Sequence, residues 1–297
     1  PPRSTLFSYT TLFRSWLTAT LRRRLDFMIE AFQRRGCMLI PYRTRVDDGE
    51  MGMFIRDAAP AGVLAAGGDG TLKEVVNVIL KETLDLPIAI IGSGTSNDFV
   101  SHLGVNEDLE RYFDHIVAGR TISCDVGRVG EEYFVNVASA GMLTSVAHEV
   151  STPLKSAMGK AAYYLRGIGE LPRFHTMRLH IEADGVPYEV TAYFFIIVNS
   201  TIAAGLKNAA PLAKVDDGKL DMLVVRQCSL PEFMALAASV IAGRLDPRDK
   251  NILYIQGAMF RVATDEPAES DLDGERGPRL STRSEERRVG KECRSRW

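Results

Sequence analysis

Apolar and polar positions follow two different periods along this chain, and the change between them falls near residue 121. Before that point, segments with apolar residues at helical spacing alternate with short, continuously apolar runs. The predicted helices cover 16–35, 51–58, 72–84 and 109–118, and the predicted strands cover 37–42, 63–66 and 87–91. This alternation is typical of a parallel sheet with helices on both faces. We therefore predict an α/β domain over residues 16–120.

The pattern after residue 121 is mainly that of β-strands joined by glycine-containing turns. The predicted strands cover 122–129, 133–138, 176–183, 188–199 and 220–226, and helical spacing interrupts them at 156–170 and 230–242. We predict a second, larger β-rich sandwich domain with helical insertions over 121–270. The predicted fold class is therefore α/β plus β.

The two ends of the chain do not share these patterns. Residues 1–15 show no periodicity, and residues 281–297 are rich in arginine without an apolar face. Both resemble translated adapter sequence fused to a shortened gene, and we expect neither to belong to the fold.

Composition and charge narrow the classes of function. Hydrophobic residues make up 45% of the chain and charged residues 25%, which is ordinary for a globular enzyme. The four cysteines are widely spaced, so they predict neither a zinc site nor a disulfide framework and fit a reducing cytoplasm. Residues 16–280 carry 28 basic and 35 acidic residues, a balance of −7 that argues against a nucleic-acid partner. No apolar run reaches the ~18 residues of a spanning helix, so we expect any membrane contact to be peripheral.

A glycine-rich turn follows the predicted strand 63–66 and precedes the helix at 72–84. It consists of Gly67, Gly68, Asp69, Gly70 and Thr71. Glycines leave backbone N–H groups accessible, a helix N-terminus adds partial positive charge, and Thr71 can cap the helix. Asp69 would repel a bare phosphate, so we expect a divalent cation or a basic side chain between them. The turn predicts a nucleotide-dependent phosphotransferase.

A second turn of the same kind follows the strand at 87–91, with Gly94, Thr95, Asn97 and Asp98 in it. Asn97 is placed to cap the next helix, and Asp98 lies in its first turn. Two such turns at adjacent strand ends predict a cleft at the carboxyl edge of the sheet, where ligands bind in open α/β folds. The pair of acids beside glycine turns favours a site over ordinary turn and cap residues.

These two turns are the first of an ordered series of motifs that resembles the bacterial lipid kinases with a diacylglycerol kinase catalytic domain. The series is GGDGT (67–71), GTSND (94–98), CDVGR (124–128), FVNVASAG (134–141), GKAAYY (159–164), VDDGKLD (215–221) and DGE (273–275). The resemblance covers about residues 17–280. It rests on the whole series, because NAD kinases share the first motif and phosphofructokinases carry a close variant of it.

The resemblance implies a Rossmann-like or phosphofructokinase-like first domain and ATP- and Mg²⁺-dependent phosphorylation of a lipid hydroxyl. The first expectation for the substrate is diacylglycerol, giving phosphatidic acid. The lipid would be met at the inner face of the membrane by a cytoplasmic, peripherally bound protein, with a homodimer possible. Lys155, Lys160 and Arg166, beside Tyr163 and Tyr164, would suit anionic headgroups, although a solvated helix face is the alternative.

The same resemblance assigns roles to individual residues. The residues expected to bind the nucleotide are Thr44, Gly67, Gly68, Asp69, Gly70, Thr71, Leu72, Lys73, Gly94, Thr95 and Asn97. Asp69, Asp98 and Asp125 would form an acidic network around the ion, and Glu275, or Asp273 beside it, would accept the proton of the lipid hydroxyl. Asp217 would bind a structural Mg²⁺ through its side chain, with the carbonyl oxygens of Lys214 and Lys219.

The chain also departs from the pattern of these kinases. Relatives begin with a strand that ends in an Asn-Pro-x-x-Gly phosphate loop, and residues 1–15 occupy that position here. We therefore expect the first strand and the closing strands after residue 280 to be missing, with 271–280 returning to the first domain. Two alternatives stay open: a soluble NAD or sugar kinase, and a nucleotide-binding protein without activity.

Overall fold

A computed structural model of this chain describes residues 7–13, 19–44, 49–92, 97–104, 108–141, 176–280 and 287–296. The chain divides into two compact units, Pro1–Cys124 with Arg294–Trp297, and Asp125–Cys293. The predicted change of pattern near residue 121 thus lies close to the division. The expected return of 271–280 to the first domain is wrong, because these residues belong to the second unit.

The first unit is an α/β structure around a parallel sheet. Its strands are β1 (Phe7–Phe13), β2 (Cys37–Arg43), β3 (Gly62–Gly67) and β4 (Ile88–Gly92), in the order β2-β1-β3-β4. Its helices are α1 (Ala19–Arg34), α2 (Met51–Ala58), α3 (Asp69–Lys81), α4 (Asp98–Leu103) and α5 (Leu109–Val117). The predicted α/β architecture is confirmed.

The strand β1 corrects the expectation that the first 15 residues lie outside the fold. It occupies the centre of the sheet and pairs in parallel with β2 and β3. Its sequence, FSYTTLF, is rich in aromatic residues and threonine, which favour strands, and the sheet's backbone N–H and C=O groups need a central partner. The lack of helical or alternating apolar spacing therefore did not show that this segment lies outside the fold.

The core of the first unit lies between its helices and the sheet. Phe32 of α1 and Phe113 of α5 are fully buried with ring centroids 5.1 Å apart, and both pack with Leu64 and Ile91 of the sheet. The hydroxyl oxygen of Tyr112 in α5 accepts a hydrogen bond from the backbone N–H of Ile90 at 2.9 Å, and burial raises the pKa of this tyrosine. On the surface, Arg35 joins the helices through Glu110 and Asp114, each at 2.8 Å.

The second unit is built on a large antiparallel sheet. Its strands are β5 (Ser123–Val129), β6 (Glu132–Phe134), β7 (Val137–Gly141), β8 (Met177–Ala183), β9 (Val186–Val198), β10 (Leu220–Arg226), β11 (Ile252–Gly257), β12 (Met259–Thr264), β13 (Ser270–Leu272), β14 (Glu275–Arg276) and β15 (Arg287–Arg296). The order is β14-β13-β7-β9-β8-β12-β15-β5-β6, and β10 pairs with both β9 and β11. Helix α6 (Leu230–Ile241) packs on this sheet.

Alternate side chains of β10 enter two different cores. Leu220, Met222 and Val224 pack in one cluster, whereas Leu223 and Val225 pack with α6 in the other. Burial on both faces explains why residues 222–225 of this strand are all apolar and do not alternate with polar ones.

Several details of the second unit differ from the expectations. The single strand predicted at 133–138 is two strands, β6 and β7, separated by a bend at Val135 and Asn136. Strands β11 to β14 were not predicted individually, because turn residues break their periodicity. Residues 287–296 form β15 and pair with β12, so the expectation that the arginine-rich end lies outside the fold is wrong. Backbone pairing does not depend on side-chain polarity, which is why the pattern missed it.

The helix predicted at 156–170, with Lys155, Lys160, Arg166 and their neighbouring tyrosines, lies outside the described residues. Within the described part of the chain, no helix is long and apolar enough to cross a membrane.

Candidate active site

The parallel sheet brings three predicted positions to one edge. The register pairs Phe13 with Arg43 and Ala66, and Gly67 with Gly92, so the strands end level with one another. Thr44 follows β2 directly and is buried, with 3% of its surface exposed. Because all four strands run the same way, Thr44, the first glycine turn and the end of β4 lie at the carboxyl edge.

The first turn is shaped by a close approach between Gly67 and Thr71. A Cβ atom at Gly67 would overlap the Thr71 hydroxyl oxygen, so no larger residue fits without displacing this side chain. Gly68 is extended and precedes the first helical residue, Asp69, and its carbonyl accepts from the backbone N–H of Leu72 at 3.2 Å. The N–H groups of the first helical turn therefore point out of the end of α3, which suits an anion.

Asp69 joins the first turn to the start of α4. Its Oδ2 atom accepts a hydrogen bond from the backbone N–H of Asp98 at 3.0 Å, and Asp98 begins α4 with only 6% of its surface exposed. The sequence placed these acids at adjacent strand ends, and the structure brings them into direct contact. Gly94 and Thr95 of the second turn lie outside the described residues, and Asn97 is the residue before α4.

Lys73 also lies in the first half of α3, but it is buried, with 6% of its surface exposed. Its backbone carbonyl accepts from the side-chain amide of Asn77, one turn later, at 2.9 Å. Because Lys73 is buried near the turn, its side chain is placed to contact groups of the protein and not bulk solvent.

In the second unit, Asp125 organises the turn that contains the predicted magnesium ligands. Its Oδ2 atom accepts from the backbone N–H of Gly218 at 2.9 Å, and its own N–H donates to the carbonyl of Val215 at 2.6 Å. Gly218 has φ +77°, a conformation that favours glycine. Asp125 therefore forms hydrogen bonds with residues near both ends of this turn.

The donor chemistry of this turn fits Mg²⁺. Asp217 is exposed, and its Oδ1 accepts from the backbone N–H of Lys219 at 2.9 Å, which holds the carboxylate beside the turn. A carboxylate with carbonyl oxygens, as predicted for Lys214 and Lys219, is the all-oxygen set that Mg²⁺ prefers. The described residues contain no group of three or more His, Cys, Asp or Glu side chains that could hold a metal, so the site depends on carbonyl oxygens.

Asp273 is held by three backbone groups. Its carboxylate accepts from the N–H groups of Val135 at 2.6 Å, Asn136 at 2.9 Å and Val137 at 2.8 Å. Its backbone has φ +53° in the tight turn between β13 and β14. These bonds occupy both carboxylate oxygens, so the geometry gives Asp273 a structural task. Glu275 follows on β14 with a partly exposed side chain, which suits a base better.

Three residues that the sequence analysis did not select connect these acids. The side-chain amide of Asn199 donates to the carbonyls of Asp125 at 2.6 Å and Val135 at 2.9 Å. Ser200 donates to the Asn136 side chain at 2.6 Å, and all three are buried. Asp125, the 215–219 turn and Asp273 therefore belong to one hydrogen-bonded assembly. An asparagine inside an apolar strand end, as in VNS at 198–200, was the signal available.

Comparison with known proteins decides the family. The model of the diacylglycerol kinase catalytic domain matches residues 18–129, and the model of the YegS C-terminal NAD kinase beta sandwich-like domain matches residues 136–289. The diacylglycerol kinase of Bacillus subtilis (strain 168) is 32% identical over 219 residues, 73% of this chain and 72% of that protein. This chain belongs to the diacylglycerol kinase family. A diacylglycerol kinase of Staphylococcus aureus (strain JH9) is 33% identical over 218 residues, 73% of this chain and 69% of that protein.

Solved structures support the fold of this family member. One described as a diacylglycerol kinase from Bacillus anthracis str. Sterne has a TM-score of 0.73 and 22% identity, covering 97% of this chain and 95% of that one. Another structure from the same organism reaches a TM-score of 0.78 at 24% identity, covering 96% and 94%. The resemblance in the motifs is confirmed, and the protein is a kinase by family.

Proposed function

We propose that this protein transfers the γ-phosphoryl group of ATP to the hydroxyl of a membrane lipid, diacylglycerol first, with Mg²⁺ as cofactor and phosphatidic acid as product. The observation that carries the proposal is the hydrogen bond between Asp69 and the backbone of Asp98 at 3.0 Å, which joins the first glycine turn to the start of α4. Two adjacent turns give a chain of phosphates more donors than one helix end can supply.

The nucleotide would lie along the turns 67–71 and 94–98, with Thr44 beside it. Gly67 permits the close packing of Thr71 beneath the turn, which leaves the backbone N–H groups of α3 to face the phosphates. When bound, Mg²⁺ supplies positive charge between the phosphates and the carboxylates of Asp69 and Asp98.

The acceptor hydroxyl would lose its proton to Glu275. Asp273 is the alternative, but its oxygens already accept three backbone hydrogen bonds. Its contribution is to fix the turn that carries Glu275. The side chain of Glu275 is partly exposed, and it would approach the substrate hydroxyl, which proton transfer requires.

The test is transfer of labelled phosphate from ATP and Mg²⁺ to diacylglycerol, phosphatidylglycerol, sphingosine or NAD in mixed micelles. We expect transfer to diacylglycerol, and we expect Asp69→Asn to lower the rate at least about a hundredfold, the range seen when an electrostatic group is removed. Asparagine keeps an oxygen that can accept from the Asp98 N–H, so the turns should stay folded.

Asp108→Asn is the matched control. Asp108 caps another helix, α5, where its carboxylate accepts from the backbone N–H of Arg111 at 3.1 Å, and it belongs to neither turn. Asparagine caps helices as well as aspartate does, so this variant should retain full activity. Transfer to NAD but to no lipid would overturn the proposal, as would full activity of Asp69→Asn.

A further inference from the structure

Helix α6 is unusually apolar for a helix on a protein surface. Within Leu230–Ile241, only Glu232 and Ser239 are polar. A surface helix normally turns an apolar stripe to the core and a polar face to water. This helix therefore has a second apolar face without an explanation in the fold.

One face of α6 packs on the sheet. Phe233 and Leu236 are buried in the core with Leu223 and Val225 of β10. The opposite face is exposed. It presents Leu230, Met234 and Ile241, with 49%, 38% and 45% of their surfaces accessible, in a row at helical spacing with the exposed Ala238. We refer to these four residues as the α6 outer face.

Positive and negative side chains alternate at the C-terminal end of this face, and two of the positive ones are arginines. Arg244 and Arg248 follow the helix and are exposed, and among the described residues neither forms an ion pair. The neighbouring acids, Asp246 and Asp249, accept from the backbone N–H groups of Arg248 and Asn251 at 2.9 Å and 2.8 Å. The ammonium group of Lys250 forms an ion pair with the carboxylate of Glu232 at 2.6 Å. The two arginines are therefore the side chains at this end that can bind an anionic group.

We propose that the α6 outer face docks on an anionic phospholipid bilayer. Its apolar side chains would enter the boundary between headgroups and acyl chains, while Arg244 and Arg248 bind lipid phosphates. A row of apolar residues bordered by basic ones has the chemistry of an interfacial helix. This inference rests on the proposed function, because a kinase for a membrane lipid must meet its substrate at a bilayer surface.

The experiment measures partition of the full chain onto sucrose-loaded vesicles of phosphatidylcholine alone or with phosphatidylglycerol. We expect binding to the anionic vesicles and at least about tenfold weaker binding for Met234→Glu with Ile241→Glu, because two exposed apolar side chains that would enter the bilayer are replaced by charged ones. Replacing both arginines by glutamine should weaken binding roughly fivefold per arginine, and only on anionic vesicles.

Val186→Glu with Met259→Glu is the matched control. These residues are exposed to 51% and 44%, lie in the same unit, and the change adds the same charge. The control should bind like the unaltered protein. Thermal melting checks folding, and if the glutamate pair in α6 unfolds the protein, Met234→Ala with Ile241→Ala replaces it, with a roughly threefold loss expected.

Equal vesicle binding by the α6 variants and the control would overturn the inference. So would a change from dimer to monomer in the α6 variants with vesicle binding unaffected, since the face would then belong to a second copy of the chain. Transfer to a dispersed short-chain diacylglycerol separates the two proposals. The kinase proposal fails if the unaltered protein does not phosphorylate this substrate. If vesicle binding nevertheless behaves as expected, the docking surface is still supported.

Discussion

Two carboxylates two residues apart have different surroundings at the turn between β13 and β14. Asp273 accepts three backbone hydrogen bonds from 135–137, whereas Glu275 lies on the following strand with its side chain partly exposed. Sequence motifs treat them as interchangeable acids. The structure separates a residue that shapes the turn from one whose side chain is partly exposed, and that difference can be measured.

Asp273→Asn should lower the free energy of unfolding by about 1–3 kcal/mol, because three backbone N–H groups lose part of a charged acceptor. Asparagine tolerates the positive φ of this position, so the turn itself is retained. Glu275→Gln should unfold like the unaltered protein but lose phosphate transfer. Urea unfolding and the transfer assay, run on both variants, report the two effects separately. A stable, inactive Asp273→Asn would reverse the assignment.

Among the elements, α6 shows how local capping and tertiary packing are combined. Glu232 accepts from both the backbone N–H and the hydroxyl of Ser229, at 2.9 Å and 2.6 Å, which secures the start of the helix. The ion pair with Lys250, together with Ser229, lowers the pKa of Glu232 to about 2. The helix therefore starts with a carboxylate that stays ionised in moderate acid.

The stability that Glu232 provides should depend on pH. Its pKa is about 2 in the folded protein against an ordinary value of 4.5, so the stabilisation is complete above pH 4.5 and is lost as the pH falls toward 2. The difference in unfolding free energy between the unaltered protein and Glu232→Gln should therefore be present at pH 7 and shrink in acid. Urea titrations across this range measure it.

Glu266→Gln serves as the control for that series. Glu266 is exposed in the loop after β12, away from any helix start, so this change removes a carboxylate without removing a helix cap. A difference for Glu232→Gln that stays constant from neutral to acid pH would show that the capping carboxylate does not titrate as its contacts require.

At the scale of the whole molecule, the second unit is held together through polar contacts distant in sequence. Asp125, Gly218, Asn199, Val135 and Asp273 form a continuous series of hydrogen bonds across loops that are far apart along the chain. A ligand bound at the 215–219 turn should thus stabilise the folded chain and not only the turn.

Mg²⁺ at ten times its dissociation constant should stabilise the protein by about 1.4 kcal/mol without nucleotide, since it binds the folded chain and not the unfolded one. Asp217→Ala should abolish the shift in melting temperature, and chelation should have no effect on that variant. Asp216→Ala, in the same exposed turn, should keep the shift. A shift that survives Asp217→Ala would place the ion elsewhere.

The sequence by itself determined the class of fold, most elements and the identity of the acids. Strong helical spacing and buried apolar runs depend on neighbours in the chain, so α2 and β10 were predicted with the bounds that the structure has. Glycine turns have an equally local signature, because they need backbone conformations and close contacts that few residues allow.

Only the tertiary structure decided that β1 and β15 are strands of the sheets, and which backbone groups each acid binds. Both strands are defined by backbone pairing with distant segments, which leaves little trace in side-chain periodicity. The same holds for Asp69 with Asp98, Asp125 with Gly218 and Asp273 with 135–137. A carboxylate's role depends on the donors that folding brings within about 3 Å of it, and those donors come from elsewhere in the chain.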